Sequence, residues 1–519
     1  MWATASSVEH RESFNAKAVE DEHILRKDAT CAAFPFDNCD FDPRIGERQG
    51  EGPHISTIAA SALSVGADVG RLEDASKMKP RSRLTLGDVL QGPDEEDGVK
   101  RYNLFWLKVR RAVTNSGLKR SVGTEESTCM EAELRKDITP EQTAEVESLY
   151  AFIMRASSKS FKDVKAAVDR ILCIWRGTDA GKEGAPCVIA GDEETYTYLR
   201  HIMAYDPDGY RQVRRYPGDW HLLLHMAKAL PKRYLGAGVE LIAKDLGIDD
   251  RKSGEGSNYR RAHHALTVMY EGLWTACLEE YCKTLPPVEG TRMEVDRHAD
   301  GVVEWMEARA KEHKTFCLWK QFLLHDYPAY LTFRVALRTG DFMLRLDALR
   351  RIAPIFFIVG KDRYQVLLID HLMEMARMSK SDLKVMSELF SVNLGKDAYA
   401  RIGLDERQEV ANRLFKTLTK RIISSSLEKM APRAQLREEA ILQYEEKFIE
   451  RPATERDRCR ELVGKREPAV ETAISCLRKC PLFDGDAGKD KVVAWDGRVT
   501  TQASCAEILG APDQALEKM

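Results

Sequence analysis

The amino-acid sequence predicts an α/β fold that is mainly helical overall. Two short segments, the apolar run 188–190 and the run 212–216 that ends in Tyr216, each lead into a Gly-Asp pair and are followed by a helical pattern, which predicts neighbouring strand–helix units. From Trp220 to about residue 430, almost every segment has helical periodicity. A few strands followed by a long helical block predict a sheet that is interrupted or followed by a large helical insertion.

Length and composition are those of an ordinary globular protein. The chain has 519 residues, 43% hydrophobic and 31% charged, with a formal net charge of −3, so no global basic field indicates a nucleic-acid binder. The 12 cysteines are scattered, which is typical of reduced thiols in a nuclear or cytoplasmic protein. The first residues have no signal-peptide pattern, and the longest apolar run, Ile352–Val359, is too short to span a bilayer. We therefore expect no membrane partner, and no pattern indicates a particular oligomeric state.

The N-terminal part is predicted to contain little regular structure before the core strands. Residues 1–30 are polar and aperiodic, which predicts disorder. Residues from about 43 to 135 are predicted to form a loop-rich insert. Between 43 and 100, Gly, Ser, Pro and charged residues are frequent, and the alternation typical of strands is missing.

Helical patterns dominate the remaining sequence. Thr139 followed by Pro140 is typical of a helix start, and Leu149, Phe152 and Ile153 follow at helical spacing. Further helices are predicted over residues 161–175, 220–230, 262–281, 302–324, 330–349, 364–378 and 406–427. The resulting division is an α/β core at 31–235, a helical insertion at 236–400, a helix that closes the core at 401–450, and a polar tail at 451–519.

Asp192 and Asp219 are the first candidates for chemistry. Each follows a glycine at the predicted carboxyl end of a strand, so the two carboxylates can meet at one edge of a sheet. Carboxylate oxygens are the ligands that Mg²⁺ prefers, and a pair of divalent ions can stabilise both the attacking and leaving oxygens of a phosphoryl transfer. The alternative interpretation is helix N-capping, which also favours Asp before a helix.

Two other positions supply further carboxylates. Asp37 follows a short aromatic run and is either a first metal ligand or part of an ordinary turn, as is Asp40. Glu409 lies one turn into a predicted helix and is either a third ligand or general base, or an exposed acid that the helix dipole favours. Asp405, the predicted N-cap of that helix, and Glu406 are near competitors of Glu409.

Basic and metal-binding side chains have less specific patterns. His221 and His225 are spaced to share one helix face, as in some transition-metal sites, but a histidine that orients Asp219 or packs in the core is the alternative that we favour. The arginines of the helical block either contact phosphates or form a salt-bridged helix face. They are Arg334, Arg338, Arg345, Arg350 and Arg351. The sequence contains no Walker loop, dinucleotide fingerprint, serine elbow or kinase motif set.

Four motifs follow one another along residues 30–430. They are Phe36-Asp37-Asn38, an apolar strand that ends in Gly191-Asp192, Pro217-Gly218-Asp219-Trp220-His221, and Arg338-Thr339-Gly340-Asp341-Phe342. Together they resemble a eukaryotic transposon-derived domain of unknown function that is regarded as RNase H-like. Their order is also similar to that of Mutator-like and hAT transposases.

The resemblance implies an RNase H-like mixed sheet with a large all-α insertion. It implies Asp37, Asp192 and Glu409 as catalytic carboxylates that bind Mg²⁺ or Mn²⁺, with Asp219 and His221 in supporting positions. The implied activity is two-metal cleavage or strand transfer on DNA. The alternatives are a catalytically inactive nucleic-acid- or protein-binding module on the same fold, and a helical interaction scaffold.

Overall fold

The computed structural model describes most of the chain. The described residues are 25, 28–39, 56–66, 69–73, 78–90, 95–122, 129–140, 146–234, 237–239, 258–285, 295–393, 399–419, 455–478 and 493. The predicted disorder of residues 1–30 lies almost wholly outside this set, as does the predicted closing helix beyond residue 419. Among the helices so described, none is both long and apolar enough to cross a membrane.

Five strands of the described chain form one mixed sheet. They are β1 (Cys31–Asn38), β2 (Thr57–Val65), β3 (Glu147–Arg155), β4 (Cys187–Gly191) and β5 (Val213–Pro217). The order across the sheet is β3-β2-β1-β4-β5. The β1–β2 and β2–β3 pairs are antiparallel, whereas β1–β4 and β4–β5 are parallel. A separate small sheet pairs β6 (Ser391–Asn393) with β7 (Arg401–Gly403).

Helices make up most of the described structure, which confirms the mainly helical α/β class. They are α1 (Leu86–Leu90), α2 (Glu95–Val122), α3 (Met130–Asp137), α4 (Phe161–Trp175), α5 (Asp179–Lys182), α6 (Glu193–Tyr205), α7 (Asp219–Arg233), α8 (Asn258–Lys283), α9 (Val295–Glu312), α10 (Lys314–Gln321), α11 (Tyr327–Thr339), α12 (Phe342–Ile358), α13 (Asp362–Arg377), α14 (Lys380–Leu389), α15 (Leu404–Thr419) and α16 (Glu455–Arg478). A short π-helix, Phe322–Asp326, joins α10 to α11.

The sheet separates two apolar cores. Alternate residues of each strand face opposite sides, so Ala32 and Phe34 of β1 pack with α4 and α6, while Cys31 and Ala33 face the long helical block. The core on the helical-block side extends through α8, α11, α12 and α13. The sheet is thus a middle layer, and its carboxyl-terminal edge is bordered by helices from both sides.

Several predicted elements are confirmed, and α4 shows why. The predicted helix 161–175 has the same bounds as α4, and its apolar side chains are buried on one face. Ser160 provides the N-cap by accepting a hydrogen bond from the Asp163 N–H group. The predicted helix 330–349 is instead two helices, because Gly340 adopts a left-handed φ of 81° and ends α11.

β2 and β3 are strands where the sequence predicts loops and a helix. The segment 43–100 was expected to lack strands, yet every residue of β2 is buried. A strand covered on both faces is a continuous apolar run without alternation, and an irregularity between Ala60 and Ser61 further disturbs its period. Leu149, Phe152 and Ile153 belong to β3 rather than to a helix, because pairing with β2 overrides a short helical spacing.

The predicted loop-rich insert and polar tail both contain long helices. α2 lies inside the 43–135 segment, and its Trp106 ring packs edge-on against Trp274 of α8 with centroids 6.0 Å apart. α16 lies inside the predicted tail and packs Val470 and Ala473 against Val268 of α8. Tertiary contacts stabilise these two helices despite their polar composition.

Candidate functional site

Asp37 and Asp192 lie at the same level on two neighbouring parallel strands. β1 and β4 pair with Pro35 opposite Ala190. The same register carried two residues further brings Asp37 level with Asp192, and neighbouring strands are about 4.8 Å apart. Both residues therefore lie where parallel strands end, which is the edge of an α/β sheet that usually holds ligands.

Asp192 is also a helix cap. Its Oδ1 atom accepts a hydrogen bond from the Thr195 N–H group at 2.8 Å, at the N-terminus of α6. Gly191 permits this turn, since a Cβ atom on it would lie 2.3 Å from the Thr195 side chain. The capping interpretation is thus confirmed for Asp192, and the cap holds the carboxylate at the sheet edge.

The third predicted carboxylate, Glu409, approaches from α15. This helix packs against β1, and the Asn412 side-chain amide donates to the Asn38 carbonyl oxygen at 3.1 Å. Burial raises the pKa of Asp37 well above its ordinary value, and the nearby carboxylates of Asp192 and Glu409 raise it further. Asp192 and Glu409 therefore both lie within electrostatic reach of Asp37.

His221 supplies the positive charge beside these acids. Its Nδ1–H group donates to Asp405 Oδ2 at 2.9 Å. Burial alone would lower the pKa of His221, but the hydrogen bond to Asp405 and the charges of Asp405, Asp37 and Asp192 raise it to about 9. The imidazole is therefore protonated at neutral pH.

The sequence predicted Asp405 as the N-cap of its own helix, and this prediction is wrong. α15 begins at Leu404, and the Asp405 carboxylate instead accepts the backbone N–H groups of Trp220 (3.1 Å) and His221 (3.0 Å), at the start of α7. Gly218 leaves room for it, because a Cβ atom there would lie 2.4 Å from Asp405 Oδ2. No local signal could reveal this cap, because its donor and acceptor are far apart in sequence.

Asp219 lies beneath the site rather than in it. Its carboxylate and the Arg345 guanidinium form an ion pair with both side chains 0% exposed. The Tyr216 hydroxyl donates to Asp219 Oδ2 at 3.0 Å, and Arg345 contacts His371 Nε2 at 3.0 Å. Asp219 thus cannot contact a ligand bound at the sheet edge. Its contribution is to hold the end of β5 and the start of α7 in place.

The competing acid and the predicted phosphate-binding arginines are engaged within the protein. Glu406 accepts from Arg338 at 3.2 Å, and Arg350 pairs with Asp347 at 2.8 Å. Of the two alternatives for Arg345, phosphate contact is excluded because its guanidinium is wholly buried, and the side chain is salt-bridged to Asp219. His225 stacks on the Tyr364 ring at 4.1 Å, in agreement with the core-packing interpretation.

The donor chemistry of Asp37, Asp192 and Glu409 suits a hard divalent cation. The neighbouring carboxylates raise the pKa of Asp37 because like charges repel one another, and a bound cation would reduce this repulsion. Within the described residues, however, no group of three or more His, Cys, Asp or Glu side chains is arranged to hold a metal ion. The acids are neighbours without forming a complete set of ligands.

One family model matches this chain, over residues 110–431. Its description is a family of unknown function (DUF6589). The match covers well over half of the sequence. The chain belongs to the DUF6589 family. No curated protein and no solved structure matches it.

The DUF6589 match includes most of the site. Asp192, Asp219, His221 and Glu409 all lie inside the matched range, whereas Asp37 and the strands β1 and β2 precede it. In this DUF6589 protein, the first carboxylate therefore comes from outside the matched segment and reaches the others through the parallel pairing of β1 with β4.

Proposed function

We propose that this DUF6589 protein is transposon-derived and transposase-like, with an RNase H-like core that cleaves or joins DNA strands. The observation that carries the proposal is the shared register of Asp37 and Asp192 on β1 and β4, with Glu409 close enough to raise the pKa of Asp37. Perturbed carboxylates at the carboxyl edge of a sheet are typical of functional sites.

The order of elements supports an RNase H-like core. The strand with the first acid is followed by two antiparallel strands, β2 and β3, before β4 leads to the second acid. The helices α7 to α14 then separate β5 from α15, which carries Glu409. A mixed sheet accompanied by a long helical block supports the RNase H-like proposal.

In this proposal, Asp37, Asp192 and Glu409 would hold Mg²⁺ or Mn²⁺ beside the DNA phosphodiester. A divalent ion bound there would stabilise negative charge on the phosphate oxygens. The residues of the chain have their own roles. Protonated His221 places a positive charge next to the carboxylates, and Asp405 holds its ring while capping α7. Arginines and lysines would add backbone contacts that do not depend on sequence.

A catalytically inactive binding module on the same fold is the second candidate. It is favoured by the lack, among the described residues, of any group of three side chains arranged for a metal ion. In that case the acids would serve as helix caps and the partner of His221, and DNA or a protein would bind without being cleaved.

Calorimetric titration of the full chain with Mn²⁺ distinguishes the two candidates. We expect dissociation constants between micromolar and millimolar for the wild type, and a loss of at least about tenfold in Asp37→Asn, Asp192→Asn and Glu409→Gln. Glu304→Gln, on the exposed face of α9, is the matched control and should bind like the wild type.

The same variants are then assayed for cleavage of a DNA duplex with Mn²⁺. Activity in the wild type that disappears in the three site variants, but not in Glu304→Gln, supports the nuclease or strand-transfer proposal. If the wild type binds no Mn²⁺, or if the three substitutions leave binding unchanged, the metal-dependent function is wrong and the binding module is retained.

A further inference from the structure

A cavity of about 420 Å³ lies against β5, the edge strand of the sheet. It is bordered by the C-terminal ends of α6 and α13 and by the segment just before α1. Small-molecule sites usually have volumes of about 300–1,000 Å³. The cavity is therefore large enough for a ligand of roughly nucleotide size.

Five arginines line this cavity, and they are Arg81, Arg200, Arg214, Arg215 and Arg377. Among the described residues, Glu374 is the one acid in the lining, and Asp370 lies behind it. Five cations therefore face two carboxylates, which leaves an excess of positive charge. The negative ends of the α6 and α13 dipoles offset only a part of it, since each corresponds to about half a charge.

The acids orient part of the arginine cluster. Arg215 donates to Asp370 Oδ2 at 2.8 Å, and Arg377 donates to Glu374 Oε1 at 3.0 Å. Arg81 also contacts Glu374. Guanidinium groups fixed in this way lose little conformational freedom when they bind an anion, which favours bidentate contacts with phosphate oxygens.

Two arginines retain hydrogen-bonding capacity. Arg215 is only 9% exposed, and its Nε atom has no hydrogen-bond partner among the described residues. Arg200, on α6, is half-buried and forms no hydrogen bond or ion pair with any of the described residues. A buried donor without a partner costs free energy, so an acceptor from a ligand would be stabilising.

The rest of the lining is apolar. Met78, Met203 and Met378 contribute flexible thioether side chains, and Pro207 and Val213 complete the wall. Methionine adapts to flat or irregular apolar groups. The cavity thus combines an anion-binding side with an apolar side.

We propose that this cavity binds a phosphorylated small molecule of about nucleotide size, with its phosphate on the arginines and its organic part against the methionines. The site is separate from the carboxylates, because Asp192 and Ala204 lie at opposite ends of α6, about 18 Å apart along its axis. The proposal therefore does not depend on DNA cleavage.

The test is calorimetric titration of the full chain with ADP, inorganic phosphate and single-stranded DNA. Arg200→Ala removes a charge that forms no ion pair with any described residue, and Ala204→Trp fills part of the cavity from an exposed position. Arg261→Ala, on the exposed side of α8, removes the same charge elsewhere and is the control. Circular dichroism spectra verify that each variant is folded.

We expect wild type and Arg261→Ala to bind ADP. Both should bind inorganic phosphate at least about tenfold more weakly than they bind ADP. Arg200→Ala and Ala204→Trp should each weaken ADP binding by about tenfold. The affinity of the wild type for ADP should fall as the salt concentration rises, because salt screens the arginine charges. The proposal is overturned if the wild type does not bind ADP, or if folded Arg200→Ala and Ala204→Trp bind it normally. Equal affinity for phosphate and ADP would refute the role of the apolar wall. If both variants lose DNA binding while ADP does not bind, the cavity belongs to a nucleic-acid surface.

Discussion

His221 is a protonated histidine enclosed by carboxylates. Its ring donates to Asp405 at 2.9 Å, and Asp37 and Asp192 add to the negative potential that keeps it charged. The same charge lowers the electrostatic cost of placing three acids together, because His221 acts to lower the pKa of Asp37. One cation is thus shared by the acids of the sheet edge.

The raised pKa of His221 predicts a loss of stability in mildly alkaline solution. The ordinary histidine pKa of 6.5 rises to about 9 in the fold. The stabilisation is therefore complete below pH 6.5 and is lost as the pH rises through 9, with an upper limit on the order of 3 kcal/mol. Urea unfolding of His221→Gln between pH 6 and pH 9.5 should show a flatter pH dependence than the wild type.

His201→Gln, in which an exposed histidine is replaced, is the matched control and should keep the wild-type profile. The raised pKa of Asp37 also makes stability fall as the pH rises, so the informative quantity is the difference between variant and wild type. Parallel profiles for His221→Gln and wild type would refute the assignment of a charged His221.

At the scale of elements, α7 is capped by another helix. Gly218 precedes α7 without a side chain that could accept its first N–H groups, and Asp405 of α15 accepts two of them instead. The cap connects the sheet edge with the helix that carries Glu409. The position of Glu409 therefore depends on a contact that is separate from the acids themselves.

Asp405→Ala should destabilise the protein and shift the His221 titration. Loss of the cap costs about 1–2 kcal/mol, and His221 left without its carboxylate should titrate at a lower pH because burial disfavours its charge. Urea unfolding and the NMR titration of the His221 ring measure the two effects. Glu406→Ala removes the neighbouring, partly exposed acid and should leave the His221 titration unchanged. An unaltered titration in Asp405→Ala would contradict the proposed pair.

At the scale of the whole molecule, a buried ion pair joins the sheet to the helical block. Asp219 lies just after β5, and Arg345 belongs to α12 on the other side of the interface. Tyr216 and His371 complete the network from β5 and α13. Since the pair is enclosed within the larger apolar core, neither charge can be solvated if its partner is removed.

Arg345→Met should therefore be among the most destabilising single substitutions, with a loss of about 3–5 kcal/mol. The double variant Asp219→Asn, Arg345→Met should recover a large part of the lost stability, since it leaves no unpaired buried charge. Lys165→Ala breaks the exposed pair with Asp169 and should cost little. Urea unfolding tests all three, and a double variant no more stable than Arg345→Met would argue against a role for charge pairing.

Elements with local signals could be predicted from the amino-acid sequence alone. α4 follows from Ser160 as the cap and a regular apolar face, and β4 and β5 follow from the short runs 188–190 and 212–216, each of which leads into Gly-Asp. The same local signals identified Asp37, Asp192 and Glu409 as candidates. Their joint function stays a prediction, although the fold brings them within electrostatic reach.

Only the tertiary structure decided how distant segments combine. β2 is a strand because both of its faces are covered, and α16 is stable because α8 supplies its apolar partner. Asp405 caps α7 instead of its own helix because β5, β7 and α15 meet there. Caps and periodicity act over one or two helical turns, whereas these pairings depend on sheet register and packing, which no short stretch of sequence contains.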